Sequence, residues 1–299
     1  MKNFKSMIEF TEDFGTTEQC YQYLCKVKWG NGFTCRKCQH NVAVKGRTWY
    51  YRKCQKCHYD ESCTAHTLFH KLKFDLVKAF WIVYQLSTMK KGMSTMEIAR
   101  QYSIHQETAW FFKRKVQQAT GAKDTEQLKN LVQIDETLIG GEERNAPGRS
   151  HGKKHKVAVG IELDENEQGK MIVKNAAAVV ITGYSAEELG EGINQIADKD
   201  ANISTDCWSA YPKAVGDRQH FAMLSKSGKN FNELHRHIFN LKNWIRGIHH
   251  KISADHLQHY LNEFHYRFNR RNQIPSCPRR LMNRMINHPW LPYKLAIAK

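Results

Sequence analysis

The chain has 299 residues, enough for two domains or one large domain with appendages, and its apolar share is that of a folded protein. Its formal charge of +17, from 46 Lys and Arg against 29 Asp and Glu, exceeds what solubility needs and predicts a polyanionic partner, nucleic acid ahead of a membrane surface. No apolar run approaches the ~18–20 residues of a spanning helix and Met1 to Phe10 lacks a signal-peptide pattern, so no membrane role and a cytoplasmic location are expected.

The first predicted element is a short helix over Thr16 to Lys26, with Cys20, Tyr21 and Leu24 as an apolar stripe able to cover the cysteine-rich segment after it. Next comes a CxxC pair, a fifteen-residue gap and a second CxxC pair: Cys35, Cys38, Cys54 and Cys57. Each pair puts two thiolates on one tight knuckle, and the gap allows a hairpin that returns the second knuckle to the first, so the spacing predicts a zinc ribbon. Its hairpin is basic and aromatic (Arg47, Trp49, Tyr50, Tyr51, Arg52), which suits phosphates and bases; the alternative is a zinc that only holds the module together. The other five cysteines, Cys20, Cys25, Cys63, Cys207 and Cys277, are odd in number and scattered, and are expected to be reduced thiols.

Phe74 to Ser87 has helical periodicity and enough apolar residues to be largely buried. Ser94 with Glu97 three residues on reads as a capping box opening a helix through Gln101. A turn over Tyr102 to His105 and a helix over Gln106 to Gln118 complete a helix-turn-helix pattern. Its second helix would enter the major groove with His105, Gln106, Glu107 and Thr108 near base edges, while Lys113, Arg114 and Lys115 hold phosphates. The plain alternative is a three-helix domain with a solvated charged face.

From Leu131 the texture changes. Leu131 to Ile139, Lys156 to Leu163 and Met171 to Ile181 read as successive strands, Ser185 to Asp198 as an amphipathic helix capped by Ser185, and Ala201 to Thr205 and His220 to Leu224 as further strands before long terminal helices. This order predicts an α/β or α+β domain with a mixed sheet. Gly140 to His155, with its Gly, Pro, Arg and Lys, reads as a loop or a disordered hairpin tip. Asp135 near the end of the first strand and Asp206 after the fourth form a pair able to share two Mg²⁺ ions for phosphodiester chemistry, although a lone strand-end Asp is more often a solvated turn residue.

The strings Ile134-Asp135-Glu136-Thr137-Leu138-Ile139-Gly140-Gly141 and Ser204-Thr205-Asp206-Cys207-Trp208-Ser209-Ala210-Tyr211 resemble the first and second acidic motifs of zinc-ribbon insertion-sequence transposases of the DDE type, the ISXO-like group. The runs from His235 to Ser253 and from His256 to Arg271 resemble that family's tail, and the likeness spans roughly residues 30 to 275. It implies a multidomain α/β chain: a zinc ribbon with N-terminal helix at 1–66, a helix-turn-helix DNA-binding domain at 67–125, a ribonuclease-H-like transposase core at 126–285 and a tail at 286–299. It further implies structural Zn²⁺, catalytic Mg²⁺ or Mn²⁺, binding of double-stranded DNA at terminal inverted repeats and at the target, metal-dependent cleavage and strand transfer, a homo-oligomer in the synaptic complex, and a bacterial, nucleoid-associated location.

The third acidic position departs from the family pattern, in which a Glu lies seven residues before a Lys or Arg. Counting back seven from Lys242 gives His235, with Asn240 and Glu233 as the other candidates. Lys242 is expected to contact the DNA backbone. Arg144, Arg149, Lys153, Lys154 and Lys156 are candidate clamps beside the first acidic strand, and Arg267, Arg270, Arg271, Arg279, Arg280 and Arg284 are candidate phosphate contacts. The histidine also leaves room for a second reading, a catalytically inactive or domesticated DNA-binding regulator.

Overall fold

The computed structural model describes residues 3–121, 127–141, 154–226, 228–249 and 252–297. The chain divides into two compact units, one of Met1–Ala122 with Gln273–Lys299 and one of Lys123–Asn272.

In the first unit, helices α1 (Met7–Phe14) and α2 (Thr17–Trp29) lead into the ribbon strands β1 (Ala43–Lys45), β2 (Tyr51–Cys54) and β3 (Asp60–Ser62), paired antiparallel in that order. Thr16 and Gln19 close a capping box at the start of α2. Its Tyr21 stacks on Tyr50 of the ribbon hairpin at 4.1 Å, as the apolar stripe led one to expect, while Leu24 and Cys20 turn into the core. A buried ion pair, Lys28 to Glu61 at 2.5 Å, ties α2 to β3, and the same amine donates to the carbonyls of Ser62 and Ala65.

Helices α3 (Leu76–Thr88), α4 (Thr95–Tyr102) and α5 (Gln106–Thr120) come next. Ser94 caps α4 as expected, but the carboxylate of Glu97 turns outward to Arg100 and Gln101 instead of back to the cap. Ser103, in the left-handed region, ends α4 and makes the sharp turn into α5.

The second unit is built on a five-stranded sheet of β4 (Leu131–Ile139), β5 (His155–Glu165), β6 (Met171–Ile181), β7 (Asn202–Thr205) and β8 (His220–Ala222), in the order β6-β5-β4-β7-β8. The first three form an antiparallel meander, and β7 and β8 then add parallel to β4, the ribonuclease-H-like arrangement. Helix α6 (Ala186–Ile196), with its Ser185/Glu188 capping box, and short α7 (Tyr211–Ala214) cover one face. Gly160 of β5 lets α6 lie close, since a Cβ there would meet Ile196 at 2.5 Å. Helices α8 (Asn232–Ile248) and α9 (Ala254–Phe268) cover the other face. On β4, Val132 and Ile134 point to the α6 side, which leaves Gln133, Asp135 and Thr137 on the α8 side.

The chain then re-enters the first unit. Helix α10 (Cys277–Asn287) buries Leu281, Met282, Met285 and Ile286 and contacts α2, α3 and α5, and α11 (Tyr293–Ile297) comes after it. The division therefore differs from the one expected from sequence: ribbon and helix-turn-helix share one unit, and residues 273–285 fold with them because the apolar stripe of α10 completes their core.

Candidate active site and metal centre

The two ribbon knuckles are equivalent. In each, the residue after the second cysteine, Gln39 or His58, adopts a left-handed conformation and its N–H returns to the first cysteine's carbonyl, Gln39 to Cys35 at 2.8 Å and His58 to Cys54 at 3.0 Å. The knuckles face each other with Cys35 and Cys57 Sγ 3.5 Å apart and Cys38 and Cys54 Sγ 3.6 Å apart. All four sulfurs lie within 4.8 Å of one another. Zn–S bonds of ~2.3 Å in a tetrahedron separate sulfurs by about 3.8 Å, so the four thiols fit a structural zinc ion.

In the second unit, the pairing of β4 with β7 ends with Gln133 opposite Ser204. Asp135 lies two residues further along β4 and Asp206 just past the end of β7, near enough for its charge to act on Asp135. Asp135 is thus mid-strand and not at a strand end, because β4 runs on to Ile139 alongside β5. Its Oδ1 accepts from the Glu136 N–H at 2.8 Å, and Asp206 Oδ1 accepts from the Trp208 N–H at 3.0 Å. His235 Nε2, on α8, lies 3.4 Å from Asp135 Oδ2.

Burial raises the Asp135 carboxyl above the usual carboxylate range; His235, the Glu136 N–H and Lys242 pull it down, and Asp206 pushes it up. Glu136, on the other face of β4 toward Tyr211, is pushed up to about 7 by burial and by Asp135 and Asp206. Burial, with Arg246 and Lys154 nearby, lowers the Lys242 amine, which Asp135 partly restores. A half-buried carboxyl raised by burial and by a neighbouring carboxylate marks a place where a cation would be stabilised, and the oxygens of Asp135 and Asp206 suit Mg²⁺ or Mn²⁺.

Of the three candidates for the third position, His235 alone meets Asp135. At 100° per residue, Lys242 lies about 20° from His235 around α8, whereas Asn240 lies about 140° away and is exposed. Glu233 is committed to Arg236 at 3.1 Å.

Residues 127–269 match the ISXO2-like transposase domain, and residues 15–60 match the transposase zinc-ribbon domain. The chain belongs to the ISXO2-like zinc-ribbon transposases. Among solved structures it is similar to the Mos1 transposase paired-end complex with left transposon end, at 11% identity and a TM-score of 0.31, with 70% of this chain and 78% of that chain covered. No curated protein matches the chain. Among the described residues, no helix of the transposase is long and apolar enough to cross a membrane.

On the helix-turn-helix of the transposase, His105, Gln106 and Glu107 are exposed and Thr108 half-buried at the start of α5. Lys113, Arg114 and Lys115, expected to hold phosphates, are instead buried to within 1–2%. The Lys113 amine donates to the Met93 carbonyl at 2.6 Å, Lys115 to the His70 carbonyl at 2.7 Å, and Arg114 to Gln117 at 2.9 Å. Their long stems fill the core while the charged ends satisfy backbone and side-chain acceptors.

Much of the C-terminal arginine cluster also turns inward. Arg267 pairs with Glu263 at 2.7 Å, Arg271 donates to the Lys174 carbonyl at 3.0 Å, Arg279 lies over the rings of Phe4, Phe14 and Tyr23, and Arg284 donates to the Ala119 carbonyl. Arg280 is exposed. Of the loop cations, Lys154 and Lys156 are described, with Lys156 donating to the Thr182 carbonyl at 2.9 Å. Arg144, Arg149 and Lys153 lie outside the described residues.

Glu136 is the acidic residue that sequence reasoning passed over. Strand alternation was the available signal: it sends Glu136 to the face opposite Asp135, where Tyr211 of the second motif is buried beside it.

Proposed function

We propose that this transposase binds the terminal inverted repeats of an insertion sequence, cleaves the DNA at its ends and joins them to target DNA. The observation that carries the reading is the convergence of Asp135, Asp206 and His235 at one point of the sheet, with Lys242 on the same side of α8. Divalent ions held by Asp135 and Asp206 would supply charge neutralisation at the attacking and leaving oxygens of a phosphodiester. His235 orients the Asp135 carboxylate, and Lys242 binds the scissile strand's phosphate. The same residues then hold the freed 3′-OH against target DNA, so no covalent enzyme intermediate is needed. His105, Gln106 and Thr108 at the start of α5 read the end sequence, with the ribbon as a second contact. Synapsis of two ends calls for a homo-oligomer, by analogy of function alone.

A second reading, a DNA-binding regulator without catalysis, draws on the imidazole of His235 where the family pattern has a carboxylate. The test is incubation of the protein with labelled DNA carrying the gene's own flanking ends, in Mg²⁺ or Mn²⁺, beside Asp206→Ala. Cutting at the ends by the wild type and not by the variant, with end binding kept by both, is the expected result. End-specific binding without cutting in either metal would overturn the enzymatic reading in favour of the regulator.

A further inference from the structure

We infer that Phe239 receives an unstacked nucleobase of the DNA strand lying in the acidic site, an inference that rests on the transposition reading above. Residues His235, Phe239, Lys242 and Arg246 are spaced four, three and four apart on α8, so they fall within an arc of about 60° and run as one stripe along the helix. The neighbouring stripe, Leu234, Ile238, Leu241 and Ile245, is the one buried against the sheet. The first residue of the outer stripe touches Asp135 at 3.4 Å. Lys242 feels the charges of Asp135, Arg246 and Lys154, which puts the stripe along the rim of the acidic site.

Within this row of nitrogen donors Phe239 is 63% exposed. A phenyl ring offers nothing to a phosphate, but its face fits that of a base, and stacking on aromatics tolerates any base. From His235 to Arg246 the helix rises about 16 Å, the length of roughly three nucleotides, so phosphates can lie on the nitrogens while the base between them turns onto the ring. Duplex DNA keeps its bases inside; a ring wedged at the cleavage point takes one out of the stack, as apolar wedges do elsewhere. The occupant that this charge pattern selects is a DNA strand and not a second copy of this basic chain.

The probe is the end duplex with 2-aminopurine at each nucleotide flanking the scissile phosphate in turn, bound to the full chain in Ca²⁺ and then cut in Mg²⁺ or Mn²⁺. Wild type and Asp206→Ala should both raise the fluorescence at one position on binding. Phe239→Ala should abolish that rise and slow cutting by roughly ten- to a hundredfold. Phe239→Trp should restore cutting and quench the probe, since indole quenches a base stacked on it. Wild-type cutting without any fluorescence rise, or Phe239→Ala cutting at the wild-type rate, would overturn the inference. So would a loss in Phe239→Ala that accompanies a change of mass in sedimentation, which would make the ring an interface between copies. If the wild type cuts no end in either metal, the transposition reading fails first and this inference with it.

Discussion

Acidification should loosen the second unit through a buried pair of imidazoles. His237 of α8 and His265 of α9 face each other with Nε2 atoms 3.0 Å apart. His265 Nδ1 sits 2.7 Å from the Leu261 carbonyl, so it carries the proton and donates there; its Nε2 then accepts from His237 Nε2–H. Both rings are neutral in this arrangement. Burial lowers His265 to about 4, and burial with the charges of His265 and Arg271 lowers His237 to about 2. Unfolded, each ring binds its proton near 6.5. Between the two sets of values the unfolded chain therefore holds more protons than the folded one, so stability is full above pH ~6.5 and falls as pH drops, until the folded rings protonate. From pH 7 to pH 5 the two rings together should remove about 3–4 kcal/mol. The assay is denaturant unfolding at both pH values, for the wild type and for His237→Leu/His265→Leu, whose paired apolar replacement leaves no orphaned partner. Carboxylates and zinc thiolates add their own acid loss to both proteins, so the difference between them isolates the pair. An equal loss in both would refute the reasoning.

Cys38→Ser should lower bound zinc from about one per chain toward none and loosen the ribbon, because binding and folding are coupled there; unchanged zinc in a chelator assay would contradict the site. Lys113→Met and Lys115→Met should each cost about 1–3 kcal/mol of stability by orphaning the buried Met93 carbonyl and the half-buried His70 carbonyl, respectively. Neither should change the salt slope of DNA affinity, whereas a phosphate contact would reduce it by about 1. Gly228 has φ +86° and a Cβ there would meet His235 Nδ1 at 3.0 Å. Gly228→Ala should therefore strain the turn by about 1 kcal/mol, displace His235 and slow cutting by up to ~100-fold with end binding intact; cutting at the wild-type rate would show that the position of His235 is not needed.

Strand limits were legible wherever apolar runs were bounded by turn residues: Leu131–Ile139 and Met171–Ile181 agree to the residue with their expected ends. Helix starts were legible from their caps, as at Ser94 and Ser185. What a linear pattern does not carry is the direction a long cation takes. Lys113, Arg114 and Lys115 read as a phosphate-binding run, yet the packing around α5 drew their stems inward. Which of His235, Asn240 and Glu233 faces Asp135 depends on the rotation of α8 against β4, since helix phase alone does not say which face meets the sheet. The return of α10 was invisible for a similar reason: its amphipathic stripe names no partner. Glu136 was hidden by its neighbour, because one motif served both faces of the strand.

That return also sets an order of assembly. The second unit is inserted between two pieces of the first, so a ribosome delivers the ribbon and the helix-turn-helix well before the segment that closes their core. Until Leu281, Met282, Met285 and Ile286 emerge, the apolar faces of α3 and α5 lack their cover, and the second unit can be finished while the first is still open. A stop codon near residue 272 would spare every residue of the acidic site and still leave the helix-turn-helix without its third side.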